Sequence, residues 1–220
     1  TERRFRRMIE AQLYSQYPNI EIMETEDYVE KTAQKMVDEP WTVFGTEFAL
    51  SKADPYPIKT YVDYGLEKSS GGLLEEEKKI DPITPFIEFM SSIEPGQQLW
   101  FQIVVRAATK RFKDPKHPFK KVSWVDDAKR VKEEAMKDYT YTDESGKERR
   151  DLLNMTQAEK DALAAIEKST NKPGFDVGIR GLYLAKKDAF DGTTIGAFLG
   201  AFKQYNSVHL NSFKLRNVTG

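Results

Sequence analysis

The 220-residue chain carries 34 Lys and Arg against 35 Asp and Glu, so its formal charge at neutral pH is −1. Apolar residues make up 39% of it and aromatic residues 12%, which suffices for one large or two small cores. It has no cysteine and only two histidines, and no apolar run approaches the ~18 residues of a membrane-spanning helix. These figures exclude a disulfide scaffold, a thiol enzyme, a cysteine- or histidine-based metal site, a transmembrane segment and a uniformly basic nucleic-acid binder.

The N-terminal part of the chain alternates helical and strand-like patterns. Apolar residues at the spacing of one helical face predict a helix over about 2–15, and a short strand at 20–24 and a helix at 27–39 follow. Aromatic and β-branched residues predict a strand at 41–50, and a second strand at 58–62 can pair with it across a proline-containing turn. The residues of the first helical face are Phe5, Met8, Ile9 and Leu13.

In the middle of the chain, prolines and glycines mark where the predicted elements begin and end. Asp81 and Pro82 begin a predicted helix that ends at the Glu94-Pro95-Gly96 stop. The nearly continuous apolar run 99–105 then predicts a central strand covered on both faces. A basic loop at 107–121 and a charged helix at 122–138 are predicted next, with a polar loop up to residue 151.

The C-terminal part begins with a capping box, because Thr156 and Glu159 have the required spacing ahead of an apolar helical face. A strand is predicted at 175–185. Its apolar phase shifts after Ile179, which predicts a β-bulge at Arg180–Gly181. A last helix and a closing strand at 213–218 complete the chain. The last helix carries Ile195, Phe198, Leu199 and Phe202.

The order of these elements predicts an α+β fold. In the first half, helix–strand–strand–helix–strand is a ferredoxin-like βαββαβ unit that lacks its first strand. We therefore expect a ferredoxin-like first half at 1–108, an insertion of basic loop, charged helix and polar loop at 109–150, and a helix–strand–helix second half at 151–220. One continuous domain and a doubly wound parallel sheet are the alternatives. Because Thr1 lies inside a helical pattern, we also expect a longer parent polypeptide.

Common catalytic motifs are absent from the sequence. It contains no phosphate-binding glycine loop, no nucleophile elbow and no His-Glu-x-x-His zinc motif, so we predict no catalytic residue, no cofactor and no metal. A pair of carboxylates can still carry acid–base chemistry where burial separates their pKa values. The alternative to a non-enzymatic protein is thus a hydrolase or transferase whose cleft holds two of Glu24, Glu26, Asp27 and Glu47.

A basic stretch between residues 110 and 121 is the strongest local charge feature. Phe112 and Phe119 are interleaved with its cations, a mixture that suits phosphate neutralisation with base stacking. A solvated loop would have the same composition. The first helix adds a second group of cations. The candidate contacts to a nucleic acid or another anion are Lys110, Arg111, Lys113, Lys116, Lys120, Lys121, Arg3 and Arg7.

Several strings in this order resemble an uncharacterised domain of uncultivated, small-genome bacteria. They include IEAQLYSQYPNIEI at 9–22, YPIKTY at 56–61, PGQQLW at 95–100, KPGFDVGIR at 172–180 and GAFKQYN at 200–206. In that family the domain tends to precede a type IV secretion, conjugative-transfer-type ATPase domain in the same chain. The family has no established catalytic residues to carry over.

The resemblance implies a non-enzymatic accessory or interaction module, cytoplasmic, with membrane association only through its parent protein. Expected partners are another protein or a second copy of the chain, and a nucleic acid or a membrane surface through the basic stretch. A purely structural or oligomerisation domain is the remaining alternative, since an edge strand of the sheet can pair with another copy.

Overall fold

The computed structural model describes residues 3–66, 81–112 and 121–219. Its backbone falls into two compact units, Thr1–Pro40 and Trp41–Gly220. Helices and an antiparallel sheet are both present, so the predicted α+β class is confirmed.

The first unit is helical. A short 3₁₀ helix at Arg3–Phe5 leads into α1, Arg6–Gln16, and the second helix is α2, Tyr28–Asp38. Asp27 begins α2 by accepting a hydrogen bond from the amide of Val29 at 2.8 Å, as an N-cap residue does. Both predicted helices are thus confirmed.

The strand predicted at 20–24 is wrong. This segment has no strand assignment, because an extended segment becomes a strand only when a second one pairs with its backbone. Its acidic end is held by a side chain instead, since the guanidinium of Arg6 donates to the carboxylate of Glu24 at 2.6 Å and to that of Glu10 at 2.7 Å.

The second unit is built on a four-stranded antiparallel sheet. The four strands are β1, Trp41–Leu50; β2, Gln97–Ala107; β7, Phe175–Lys186; and β8, Phe213–Thr219. They lie in the order β2-β7-β1-β8, so β2 and β8 are the edges. Two small hairpins pair β3, Arg111–Phe112, with β4, Lys121–Val122, and β5, Thr140–Thr142, with β6, Glu148–Arg150.

Within the described part of the chain, four α-helices accompany the sheet. Ser123 with Asp126 and Thr156 with Glu159 form capping boxes at the starts of two of them, which confirms the predicted box at Thr156. The helices are α3, Thr84–Ser91; α4, Trp124–Ala135; α5, Gln157–Thr170; and α6, Gly192–Ala201. Two of them, α4 and α5, pack together around Ala128, Val131 and Ile166.

The main core lies between one sheet face and the helices α3 and α6. Phe198 of α6 is fully buried, and its ring meets that of Phe48 edge to face at 5.9 Å. The ring of Phe202 stacks on Phe48 at 4.2 Å. Such aromatic contacts contribute about 0.5–1.5 kcal/mol each beyond burial of area. Further aromatic members of the cluster are Phe86, Phe89, Phe101 and Phe213.

The β-bulge predicted at Arg180–Gly181 is wrong. Both residues keep a continuous register with β1 and with β2. The apolar phase shifts because Gly181 leaves space for the ring of Phe198, since a Cβ at Gly181 would lie 2.2 Å from that ring. The large apolar residue then moves one position along, to Leu182 on the opposite face. The register shift of this sheet lies instead between Gly45 and Glu47 of β1, opposite β8.

The ferredoxin-like detail is not confirmed. Residues 58–62 have no strand assignment, and the sheet interleaves strands from both predicted halves, because β7 lies between β1 and β2. The prediction of a central strand at 99–105 is also wrong. This run belongs to β2, an edge strand, and from Ile103 onward its residues are exposed. The strand that combines two neighbours with full burial is β7, at Tyr183, Leu184 and Ala185.

The polar segment 139–151, predicted as a loop, contains the β5–β6 hairpin. Its turn is organised by the carboxylate of Asp143. That carboxylate accepts hydrogen bonds from the hydroxyl of Ser145, the guanidinium of Arg149 and the amide of Lys147, which together lower the pKa of Asp143 to about 2. Local polar hydrogen bonding thus forms a hairpin that apolar patterning does not reveal.

Candidate functional site

A strip of apolar side chains is exposed where β2 ends and β7 begins. The register pairs Ile103 with Ile179, Val105 with Val177 and Ala107 with Phe175, so these side chains share one face of the sheet. Their exposed fractions are 55% for Ile103, 56% for Val105, 59% for Phe175 and 54% for Val177. We call these four residues the exposed strip. Contiguous apolar surface of this kind marks interaction sites in folded proteins.

The backbone beside the strip has an open edge. The amide of Lys186 donates to the carbonyl of Gly96, and the amide of Ala108 donates to the carbonyl of Gly174, in the register of the β2–β7 pair. Since hydrogen-bonded pairs alternate along an antiparallel ladder, the even-numbered residues of β2 bond to β7. The odd-numbered residues therefore direct their amide and carbonyl groups away from β7. Among the described residues no strand lies beyond β2.

A cavity of about 320 Å³ lies next to this end of the sheet. Gly174 and Trp124 both line the cavity, and their close approach requires a glycine because a Cβ at position 174 would lie 2.2 Å from Nε1 of Trp124. Trp124 is the first residue of α4, and the capping box of that helix fixes its position. Hydrogen bonds from Ser123 lower the pKa of Asp126 in that box. Polar side chains that line the cavity are Asp54, Thr109, Asp127, Ser169, Lys172 and Asp176.

One wall of the cavity is held by a buried asparagine. The side-chain amide of Asn211, which is fully buried, donates to the carbonyls of Ala53 and Tyr56 at 3.2 and 2.9 Å. Its Oδ1 accepts from the amides of Lys52 and Ser212 at 2.8 and 3.0 Å. These bonds tie the segment after β1, which contributes Asp54 to the cavity, to the segment that enters β8.

The candidate basic residues lie on two separate elements. Lys110 is exposed directly before β3, Arg111 lies in β3, and Lys121 is exposed at the start of β4. Arg7 is exposed on α1, and Arg3 begins the preceding 3₁₀ helix. The remaining candidates, Lys113, Lys116 and Lys120, lie outside the described residues. Whether this hairpin contacts an anion stays a prediction.

The four carboxylates of the enzyme alternative have local partners. Glu24 is paired with Arg6, Glu26 is paired with Lys31 at 3.5 Å, and Asp27 caps α2. Glu47 lies on β1, where it accepts a hydrogen bond from Asn217 at 2.8 Å. None of the four lines the cavity.

The described ranges, 3–66, 81–112 and 121–219, contain no cluster of three or more histidine or carboxylate side chains arranged to hold a metal ion. In the same ranges no helix has the length and apolarity needed to cross a membrane.

Sequence reasoning missed both the exposed strip and the cavity. A signal for the strip was present, because Asp176, Gly178 and Arg180 alternate with the apolar residues of β7. That alternation is typical of a strand with one solvated face. The cavity had no such signal, since its polar residues come from segments as distant as Asp54 and Lys172.

Comparisons with known proteins place the chain by its sequence. A family model described as a domain of unknown function (DUF8128) matches residues 1–213. No curated protein matches the chain, and no solved structure matches it.

Proposed function

The chain belongs to the DUF8128 family, and we propose that this member is a non-enzymatic interaction module whose docking surface includes the exposed strip. The observation that carries the proposal is the contrast along β2. Phe101 packs into the aromatic core, whereas Ile103 and Val105, on the same face of the same strand, are more than half exposed.

Solvent exposure of these side chains is costly. Burying a Val or Ile side chain contributes roughly 1.5–3 kcal/mol relative to leaving it in water. The strip groups four large apolar residues at one end of a rigid two-stranded ribbon, so a partner that covered it would gain this energy with little ordering cost. The cavity described above supports the interaction role less directly, because its carboxylates come from segments that are far apart in the sequence.

We place the module beside a conjugative-transfer-type ATPase domain of the same parent chain. The sequence resemblance supports that context. In such a setting the β3–β4 hairpin, with Lys110 exposed before it, contacts a polyanion. Replacing Lys110 and Lys121 by Glu is expected to weaken nucleic-acid binding in a gel-shift assay. Unchanged binding would remove this contact from the proposal.

Site-specific photo-cross-linking tests the docking surface. The photoreactive residue benzoylphenylalanine replaces Val177 in the full parent chain, and the matched control places it at Leu153, which is 91% exposed in the 3₁₀ helix Leu152–Asn154. We expect a defined protein adduct from position 177 and none from position 153. Equal or absent cross-linking at both positions would contradict the proposal.

The alternative, a hydrolase or transferase, keeps one observation in its favour. The cavity brings Asp127 and Asp176 together with Ser169 and Lys172, which are groups able to transfer protons or bind a polar substrate. Turnover of a substrate that is lost in Asp127→Asn, with unchanged folding, would favour the enzyme. The same substitution is expected to leave cross-linking at position 177 unaffected if the chain is an interaction module.

A further inference from the structure

We propose that the partner at this surface is a second copy of the chain, whose β2 pairs with β2 of the first, antiparallel and edge to edge. Two four-stranded sheets then join into one continuous sheet. The inference rests on the proposed function and names its partner. Its basis is the pattern of backbone groups and side chains along β2.

The backbone of β2 sets the register of the pairing. Gln97 already donates its amide to the carbonyl of Glu94, so it is not part of the open edge. The outward residues that remain are Leu99, Phe101, Ile103, Val105 and Ala107. Their midpoint is Ile103. A twofold axis through Ile103 is therefore the arrangement in which every outward residue faces an outward residue of the second copy.

The side chains agree with this register on the face that carries the strip. Ile103 meets Ile103 of the second copy, Phe101 meets Val105, and Leu99 meets Ala107. Each of these pairs is apolar. Cross-strand pairs of aromatic and β-branched residues contribute roughly 0.2–1 kcal/mol each relative to alanine.

The opposite face of β2 is also complementary to itself. In the same register Arg106 lies across from Trp100 of the second copy, so a guanidinium faces an indole ring, the preferred partner for a cation–π contact. Arg106 has a side chain that is 74% exposed and is held by Asp176 at 3.2 Å. The only charged residue of β2 thus has a favourable neighbour across the axis rather than a like charge.

Natural sheets protect an edge against such pairing, and β2 carries little of that protection within its own residues. Its eleven residues include no lysine and no proline, and its register with β7 runs without interruption from Gln97 to Ala107. Lysines, prolines and bulges are the devices by which soluble proteins block edge-to-edge association. An edge without these devices is open to pairing with another strand.

Sedimentation velocity of Ile103→Lys and Ile103→Glu variants tests the inference. Residue 103 faces itself across the axis, so either charge alone is expected to repel its copy, while an equimolar mixture of the two variants can pair opposite charges. We expect the wild-type chain to dimerise with rising concentration and each variant alone to remain monomeric. The mixture is expected to recover the dimer.

The matched control is Val218→Lys, which places the same charge on an exposed residue of β8, the opposite edge of the sheet. It is expected to remain dimeric. Far-ultraviolet circular dichroism of all variants confirms that the fold is retained. A monomeric wild-type chain at every concentration, dimeric Ile103→Lys, or a mixture that stays monomeric would each overturn the inference. If the wild type is monomeric and position 177 still cross-links to another protein, the proposed function stands without the second copy.

Discussion

The two edges of the central sheet are built in opposite ways. At β8 the exposed residues include Lys214 and Arg216, the pairing with β1 shifts register, and Asn217 has a φ of 52° in the left-handed region. At β2 the ladder is regular and the exposed residues include Ile103 and Val105. The same sheet therefore ends in one edge that resists a further strand and one that can accept it.

This difference explains why the sequence prediction for β2 was wrong for the isolated chain. A run such as Leu99–Val105 has the composition of a strand with neighbours on both sides. Pairing with a second copy would give β2 those neighbours, and the strand would then be interior in the joined sheet. Under the proposed pairing, the apolar run of β2 therefore matches an interior position in the joined sheet.

The largest expected effect on stability is at the attachment of β8 to the rest of the sheet. Asn211→Ala removes the side-chain bonds that tie the entry of β8 to the segment after β1, and it takes away the acceptor of the Lys52 amide and the side-chain donor to the carbonyl of Tyr56. We expect a loss of about 3 kcal/mol in the free energy of unfolding, measured by urea denaturation. The exposed Asn154→Ala serves as the control and is expected to change stability by less than about 0.5 kcal/mol. Equal effects of the two would contradict the role of Asn211.

The next-largest effect on stability is expected in β7, the strand that pairs with β2, at the contact between Gly181 and Phe198. In Gly181→Ala the new methyl group would overlap the ring of Phe198, which other aromatic rings hold on several sides. We expect a destabilisation of about 1–3 kcal/mol. Gly178→Ala is matched to it, because Gly178 lies on the same strand with open space around its Cβ position. Calorimetry that finds Gly178→Ala as destabilising as Gly181→Ala would disprove this packing account.

A smaller effect is expected from the irregularity that protects β8. A β-branched residue disfavours the left-handed backbone of residue 217, so Asn217→Val is expected to cost about 1–2 kcal/mol in thermal unfolding. Asn217→Gly tolerates that backbone and isolates the loss of the hydrogen bond to Glu47. If Val proved as stable as Gly at this position, residue 217 would not have the left-handed backbone on which this irregularity of β8 depends.

The smallest effect is a pH dependence that arises at the start of α6 rather than at either edge. Asp191 caps α6, the helix that covers the core, and hydrogen bonds from the hydroxyl and amide of Thr193 lower the pKa of its carboxyl group. Because the folded pKa is below the unfolded value of about 3.9, this stabilisation is fully present above that value and is lost as the pH falls through the folded pKa. Asp191→Asn keeps a capping oxygen and is expected to remove this part of the pH dependence. An unchanged slope of stability between pH 5 and 2 would contradict it.

The sequence predicted the fold class, most helices and all four strands of the sheet, because periodicity and capping are local properties. It could not predict that β7 lies between β1 and β2, since strand order depends on contacts between distant segments. Neither could it predict that Phe198 packs over Gly181, a contact that moved the apolar phase of β7 without a bulge. The exposed strip was visible as an apolar run in β2 and an alternation in β7, patterns that do not distinguish an exposed apolar face from a buried one.

Hydrogen exchange along β2, followed residue by residue at low and high protein concentration, tests the central claim most directly. The amides of Gln102 and Val104 bond to β7 and are expected to be protected at every concentration. The amides of Phe101, Ile103 and Val105 point to the open edge and are expected to gain protection only as concentration rises. Fast exchange of these three amides at the highest concentration, or a gain of protection along β8 instead, would contradict the account.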